Sequence, residues 1–564
     1  MSNQIVLTVI LFLCMPFLGL NVPSTRANPP IIVVPDDYPT IQEAINNAVG
    51  GDMISVKAGI YYEHVVVNKT VSLVGEDADT TVIDGNRTGH VVRVVSSGVN
   101  ITGFTVQHSG NTSVPINEAG IFIDHSTGCI VSGNNIIDNG WAGISLYYSG
   151  RNSLLSNHVS GSGWVGIHLG DSNFNTVSCN ILNDNPFLGL NVHAESHYNN
   201  ITDNVISNSV YGMSYHVATH NYICRNNISA TRKEGISLPE QASYNVVEEN
   251  RLINCTVAIV SKGPNNNNVL SGNVVIGCVV GFNLTQSSVG NSILSNSITD
   301  CDVGVQLNGS NQNNISANCF NENNCSLRLS SSHYNRIFNN ELSNSSCGIA
   351  IQYCNNNRFY HNNLINNTLQ VSVLGSGSVN IWDDDYPSGG NYWSNYNGTD
   401  LSGGAFQNET GSDGIGDTAC VIDANSTDRY PLKGMFLDHE ASSECHVQTI
   451  CNSTLSDFQF NGTAIRFNVS GESGTAGFCR ACIPTALMNQ TYYVFVSGAE
   501  VLFNLLPCSN VTHSYLYFDY THSVQEVAIV PEFQSFLILP LFILATLLAV
   551  TVYRKKRSGN RQPA

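Results

Sequence analysis

The chain has 564 residues, of which 12% are charged and 42% hydrophobic, and its formal net charge is −19. That hydrophobic content excludes a disordered chain, and the acidic balance excludes nucleic acid as a partner. Little charge beside abundant Asn, Ser, Gly and Val points to an all-β protein, and the excess of carboxylates suits a cation-rich exterior or calcium.

The N-terminus opens on an apolar run from Ile5 to Leu20, followed by the small-residue site Thr25-Arg26-Ala27. This reads as a signal peptide over residues 1–27. Residues 40–48 have the pattern of a short amphipathic helix, with Thr40 and Glu43 as a capping box. The helix is expected to plug the N-terminal end of a strand-rich body. From residue 49 to 105, Val- and Ile-rich segments such as Val65 to Val67 and Val71 to Val74 read as first strands.

A period then governs the chain. Gly120, Gly143, Gly166, Gly189, Gly212 and Gly235 are 23 residues apart, and Ala258, Gly281, Gly304 and Leu327 hold the phase before Gly348 comes 21 residues later. After most of them comes an alternating apolar segment such as Ile144-Ser-Leu or Ile167-His-Leu. Asn204, Asn227, Asn250, Asn273 and Asn296 form a second column. The period fits one coil of three short strands and three turns. Alternation would place branched apolar residues inside, glycine would make the corners, and stacked Asn would satisfy one another's buried amides. Residues 32–375 are therefore expected to form a right-handed parallel β-helix.

Beyond it, residues 376–435 form a cap rich in Asp, Gly and aromatic residues. In 445–528, segments such as Ala464 to Val469 and Ser514 to Tyr520 read as strands of a small antiparallel β-sandwich, a spacer. Residues 533–553 read as a transmembrane anchor or sorting signal. The uncharged stretch from Phe536 to Tyr553 is about 27 Å long as a helix, near the thickness of a bilayer core. The basic tail, 554–564, is expected on the cytoplasmic side. Sequons at Asn68, Asn100, Asn200, Asn227, Asn283, Asn314, Asn397, Asn468 and Asn510 fit an exported glycoprotein.

Four sets of residues carry candidate chemistry. His193 and His216 are 23 apart, as are His197 and His220, so adjacent coils would bring four imidazoles together. They are either a copper or zinc site or a polar ladder. Asp383, Asp385, Asp413 and Asp417 lie in irregular loops that suit calcium, or else they are Asx turns. Tyr147, Tyr148, Trp164 and Tyr211 would stack on sugar rings or cap coil corners. Cys255, Cys278 and Cys301, again 23 apart, make a disulfide or thiol ladder. The five spacer cysteines at 445, 451, 479, 482 and 508 suit disulfides better than zinc outside a cell.

Asp37-Tyr-Pro-Thr-Ile-Gln-Glu-Ala-Ile45, Val71-Ser-Leu-Val-Gly-Glu76 and the coils resemble the NosD-like, pectin-lyase-type right-handed β-helix proteins. So do Trp382-Asp-Asp-Asp-Tyr-Pro-Ser-Gly-Gly-Asn-Tyr-Trp-Ser-Asn-Tyr396 and Gly411-Ser-Asp-Gly-Ile-Gly-Asp417. The resemblance spans about 32–433. It implies either a carbohydrate-binding and sugar-hydrolysis module or an accessory of copper-site assembly. Val530-Pro-Glu-Phe533 before the apolar run is similar to archaeal PEF-type sorting signals, which implies a surface protein processed by an archaeosortase.

A glycosidase needs two facing carboxylates, and acids are sparse between 120 and 375. The leading expectation is a surface protein that binds envelope or extracellular polysaccharide without catalysis. A carbohydrate lyase or hydrolase, and a copper accessory protein, are the alternatives.

Overall fold

The computed structural model describes residues 31–531 apart from 112–117, 376–377 and 489–490, together with 546 and 548–551. The expected signal peptide, basic tail and most of the C-terminal apolar run lie outside the described residues. Among the described residues, no helix is long and apolar enough to cross a membrane.

The N-terminal plug is present. Helix α1 (Ile41–Asn47) buries Ile41, Ala44 and Ile45 against the first coils. Thr40 Oγ1 accepts the Glu43 N–H at 3.1 Å, as a cap should. The other orphan donors are met from farther away: the Glu63 carboxylate accepts the N–H groups of Ile41 and Gln42, both at 3.0 Å.

Three parallel sheets of 15, 14 and 15 strands then run the length of the solenoid, each strand typically pairing with the strand three elements later. One of them, the long-strand sheet, is built mostly of six-residue strands, among them Ala119–Asp124, Ala142–Tyr147, Val165–Gly170, Leu188–His193 and Tyr211–His216. The other two use mostly three-residue strands such as Ile130–Ser132 and Asn135–Ile137. Inward side chains, including Ile121, Ile144, Ile167 and Leu190, form one continuous core from Val34 to Trp393. The solenoid starts at Ile31 and outlasts the expected boundary of 375: Ile381 bridges to Arg358, and Tyr392–Trp393 adds the last strand of one sheet.

Stacked amides hold the corners. Asn134, Asn157, Asn180, Asn204, Asn226 and Asn250 are at most 1% exposed. Each backbone N–H donates to the next residue's Oδ1, as from Asn157 to Asn180 at 2.9 Å. The expected column included Asn227; its true member is Asn226, and Asn227 opens the next strand. The coil from Asn204 is 22 residues long and the next is 24, so the mean period hid a one-residue slip. A similar shortening places Ser326 beside Gly304, while Leu327 pairs with Val305.

The glycine column is real, but its reason is not the expected one. Gly143 and Gly166 stack at the second position of their strands, and neither has a left-handed φ. A Cβ on Gly143 would lie 2.3 Å from Val159 Cγ1 and 2.8 Å from Gly166 O. The column is thus a steric requirement where the long-strand sheet crosses side chains of a neighbouring sheet. The bends fall elsewhere, at positive-φ residues such as Asp171, Phe174, Cys179 and Asp184 in one coil.

The C-terminal cap closes the core with Trp382 stacked on Phe359 at 4.3 Å. The spacer is a pair of five-stranded antiparallel sheets spanning Met435 to Pro531, wider than the expected 445–528. Arg480, 2% exposed, joins it to the cap by donating to Asp413 O at 2.8 Å and Pro387 O at 2.6 Å.

Candidate functional site on the long-strand sheet

The long-strand sheet gathers most of the expected site residues on its outer face and the corner beyond it. Parallel register lines up Asp124, Tyr147, Gly170, His193 and His216 in one column at the strand ends. Ser145, His168, Asn191 and Ser214 form the next column inward along the strands.

At the N-terminal end of this face, Asp124 is the centre of a charged network. Its Oδ2 accepts from Arg93 Nη2 at 2.7 Å and its Oδ1 lies 2.6 Å from His125 Nδ1. Burial works against its charge, yet the hydrogen bonds from Arg93 and His125 outweigh it and hold the carboxyl below its usual range. Tyr147 and Tyr148 adjoin this network. The Tyr148 ring is 5.0 Å from His125 at 30° and 4.4 Å from Tyr147 at 63°, so neither ring lies flat on it. Tyr148 is 50% exposed.

Trp164 and Tyr211 lie on the same face but are covered. Trp164 is stacked between Trp141 at 4.9 Å and Phe187 at 5.9 Å. Lys233 Nζ sits over the Tyr211 ring at 5.3 Å and Phe187 meets it edge-on. Of the four aromatics, the tyrosine pair keeps the open rings. Sequence reasoning missed Arg93 and His125 and counted Asp124 only as one scattered acid. No local motif marks them, because the preceding coil alone brings Arg93 alongside.

The four histidines do not form one patch. His193 and His216 stack at 5.1 Å with planes 11° apart. Ala194 and Glu195, both with positive φ, turn the chain before His197. His197 lies over Thr219, not over His220, and its Nδ1 accepts the Thr219 N–H at 3.0 Å. His220 stacks instead between Tyr198 at 4.9 Å and Tyr244 at 5.1 Å. This second ladder, continued by Phe174 beneath Arg151, also turns its ring faces upon itself. His168, 7% exposed and edge-on to Trp141, is pushed down to about 3 by burial and then by His193.

The loop carboxylates are occupied by donors. Asp383 accepts the Arg429 N–H at 3.1 Å and its Nε at 3.0 Å, and Asp385 pairs with the same guanidinium. Asp413 accepts from Ile415 N at 3.1 Å; Asp417 accepts from Leu401 N and Ser402 N at 2.9 Å and Thr399 Oγ1 at 2.8 Å. The Asp413 contact is an Asx turn, whereas those of Asp383, Asp385 and Asp417 are long-range and tie the loops of the cap together. Cys255, Cys278 and Cys301 are free thiols in a corner column. Cys278 Sγ accepts the Cys255 N–H at 3.4 Å and Asn323 Oδ1 accepts that of Cys301 at 2.9 Å, so sulfur takes the place of an amide oxygen.

The family described as periplasmic copper-binding protein (NosD) matches residues 44–211, 164–269, 192–327 and 259–398, which together cover more than half of the chain. The chain belongs to the NosD family. No curated protein matches it. Solved structures similar to this NosD-family chain include an alginate lyase from Paenibacillus sp. str. FPU-7, 15% identical over 44% of this chain and 95% of that one, TM-score 0.36. DFA-IIIase from Arthrobacter chlorophenolicus A6 in complex with DFA-III is 15% identical over 51% and 94%, TM-score 0.39. The Azotobacter vinelandii mannuronan C-5 epimerase AlgE4 A-module is 13% identical over 60% and 94%, TM-score 0.34. Likeness at this level bears on neither activity nor substrate.

Copper, named in the family's description, does not fit the histidines as they stand. Imidazole lone pairs lie in the ring plane, and near-parallel rings 5.1 Å apart direct theirs side by side. One ion at about 2.0–2.1 Å from both nitrogens, the distance typical of imidazole ligation, would need the rings turned toward each other. Among the described residues no group of three or more His, Cys, Asp or Glu converges as a metal site.

Proposed function

We propose that this NosD-family protein is displayed at the cell surface and binds envelope or extracellular polysaccharide through the outer face of its long-strand sheet, without catalysis. The observation that carries this reading is the juxtaposition of the open Tyr147–Tyr148 pair with the Arg93–Asp124–His125 network. A sugar offers an apolar ring face and a rim of hydroxyls. The first suits an exposed aromatic, and the second suits fixed, charge-assisted donors and acceptors. A sheet that repeats about every 4.8 Å along its axis also suits an extended chain ligand. Export by the 1–27 signal and retention through 533–553, processed or intact, complete the reading.

The test is a glycan array probed with the full-length protein in detergent, with product analysis of every glycan bound. Binding that is lost in Tyr148→Ala and Asp124→Asn supports the proposal. Binding that both variants retain refutes the assigned site, and a shortened or unsaturated product refutes the non-catalytic reading.

A further inference from the structure

We infer that Cys451 and Cys479 form a disulfide that locks the β-sandwich. The two residues lie on neighbouring antiparallel strands, Cys445–Cys451 and Ala476–Pro484, and are paired directly in the register that also sets Thr449 against Ala481. Directly opposed residues in such a ladder have Cα atoms about 4.5–5.5 Å apart, inside the roughly 4.4–6.8 Å window of disulfides. Both side chains point to the same side, into the core with Val447, Phe467 and Phe518. Their sulfurs are 2.7 Å apart. That is closer than non-bonded sulfurs rest, although longer than a covalent bond of about 2.05 Å, and both thiols are free in the structure, as the solenoid thiols are.

The contrast with the solenoid thiols is chemical. Cys278 and Cys354 accept backbone N–H groups of neighbouring coils, from Cys255 and Ser332, both at 3.4 Å, and each is thereby a part of its corner ladder. Cys451 and Cys479 have each other as sulfur partner. They lie 28 positions apart, and the segment between them carries the hairpin Thr454–Phe460 and Ile465–Ser470, which belongs to the opposite sheet of the sandwich. A bond here therefore closes a loop that leaves one sheet, builds an edge of the other, and returns. It constrains both sheets in the unfolded chain.

Oxidation needs an acceptor, and a disulfide-exchange donor of the exported compartment supplies it. One cysteine thiolate attacks the donor disulfide, forming a mixed disulfide and releasing one donor thiolate. The second thiolate then displaces the other donor sulfur. The donor gains two electrons, and the two cysteine protons end on its two thiols. Cys451 is 1% exposed and Cys479 fully buried, so the exchange precedes closure of the sandwich.

The experiment is disulfide mapping of the full chain isolated from the cells that make it. The chain is denatured in alkylating agent without reductant, digested and analysed by mass spectrometry before and after reduction. The expected result is one cross-linked species joining the Cys451 and Cys479 peptides, two hydrogens lighter than their sum and absent after reduction. Alkylation of both residues in the unreduced sample overturns the proposal, as does linkage of either to another cysteine. Reductant is also expected to lower the unfolding temperature of the wild type by several degrees and to leave that of a folded Cys451→Ala, Cys479→Ala double variant unchanged. An equal shift in both proteins counts against the bond.

Discussion

Asn226 Oδ1 accepts both the backbone N–H and the side-chain Nδ2 of Asn204, each at 3.0 Å. The same side chain donates to Ile201 O and Asn250 Oδ1 at 2.9 Å. Truncation to alanine leaves several buried polar atoms without partners at one level of the stack. Asn226→Ala is expected to cost about 2–4 kcal/mol, read as a lower denaturant midpoint. A midpoint within error of the wild type would show that water replaces the amide.

Gly166 tests the steric reading of its column. A Cβ there lies 2.7 Å from Gly189 O and 2.9 Å from Asn185 Nδ2. Gly166→Ala is expected to destabilise by about 1–3 kcal/mol through overpacking, although its φ is one that alanine adopts freely. A neutral or stabilising effect in thermal unfolding would return the column to a matter of backbone freedom.

Open and covered aromatics should separate binding from stability. Tyr148→Ala is expected to weaken glycan binding at least tenfold, about 1.4 kcal/mol, with little change in melting. Trp164→Ala, which breaks the Trp141–Trp164–Phe187 stack, is expected to lower stability by about 1–3 kcal/mol and leave affinity unchanged. Calorimetric titration beside thermal unfolding reads both. The reverse pattern would move the site along the sheet.

Buried His168 predicts an acid limb of stability. Its folded-state value is about 3 against an ordinary 6.5, so the unfolded chain binds the extra proton between those values. Stability from this group is full above pH 6.5 and falls as pH drops through 3, by roughly 5 kcal/mol at most. His90, His361 and His439, each pushed down to about 4 chiefly by burial, act with the same sign. Asp400 and Asp428, raised by burial to about 7, oppose them: protonation of the folded form stabilises it as pH falls from 7 to about 3.8. The difference between wild type and His168→Gln isolates the one group. Urea midpoints that keep a constant gap from pH 7.5 to pH 4 would show that His168 does not titrate on unfolding.

For metal, changing His193 and His216 together to alanine is expected to leave affinity for Cu(II) and Zn(II) unaltered in titrations near neutral pH. A tenfold loss would show that the two rings turn to share an ion.

Much of the architecture is written in the sequence, because a solenoid repeats one coil's constraints. Alternation at Ile144 and Ile167 and the recurring Gly and Asn are enough to stack the coils. What could not be read is the coil-by-coil length. A corner that loses one residue, as between His197 and Thr219, shifts the side chains there by one place until a 24-residue coil restores the register, and this is why His220 fell beneath Tyr198. The site was half legible for the same reason. Tyr147 and Tyr148 announce themselves as aromatics, whereas Arg93 becomes Asp124's partner only by crossing to the next coil, 31 residues away. Which rings stay open depends on the inclination of their neighbours, as with Trp164, and periodicity carries no such information.

The parallel stack also acts as a measuring rod. From the strand bearing Tyr147 to the last strand of the same sheet, Leu369–Leu374, there are ten steps, or about 48 Å at about 4.8 Å each. Stepwise gain or loss of coils between them would raise or lower the tyrosine pair relative to the sandwich without altering its chemistry. Reach is thereby set by how many times one unit was copied, and it can be tuned independently of what is grasped.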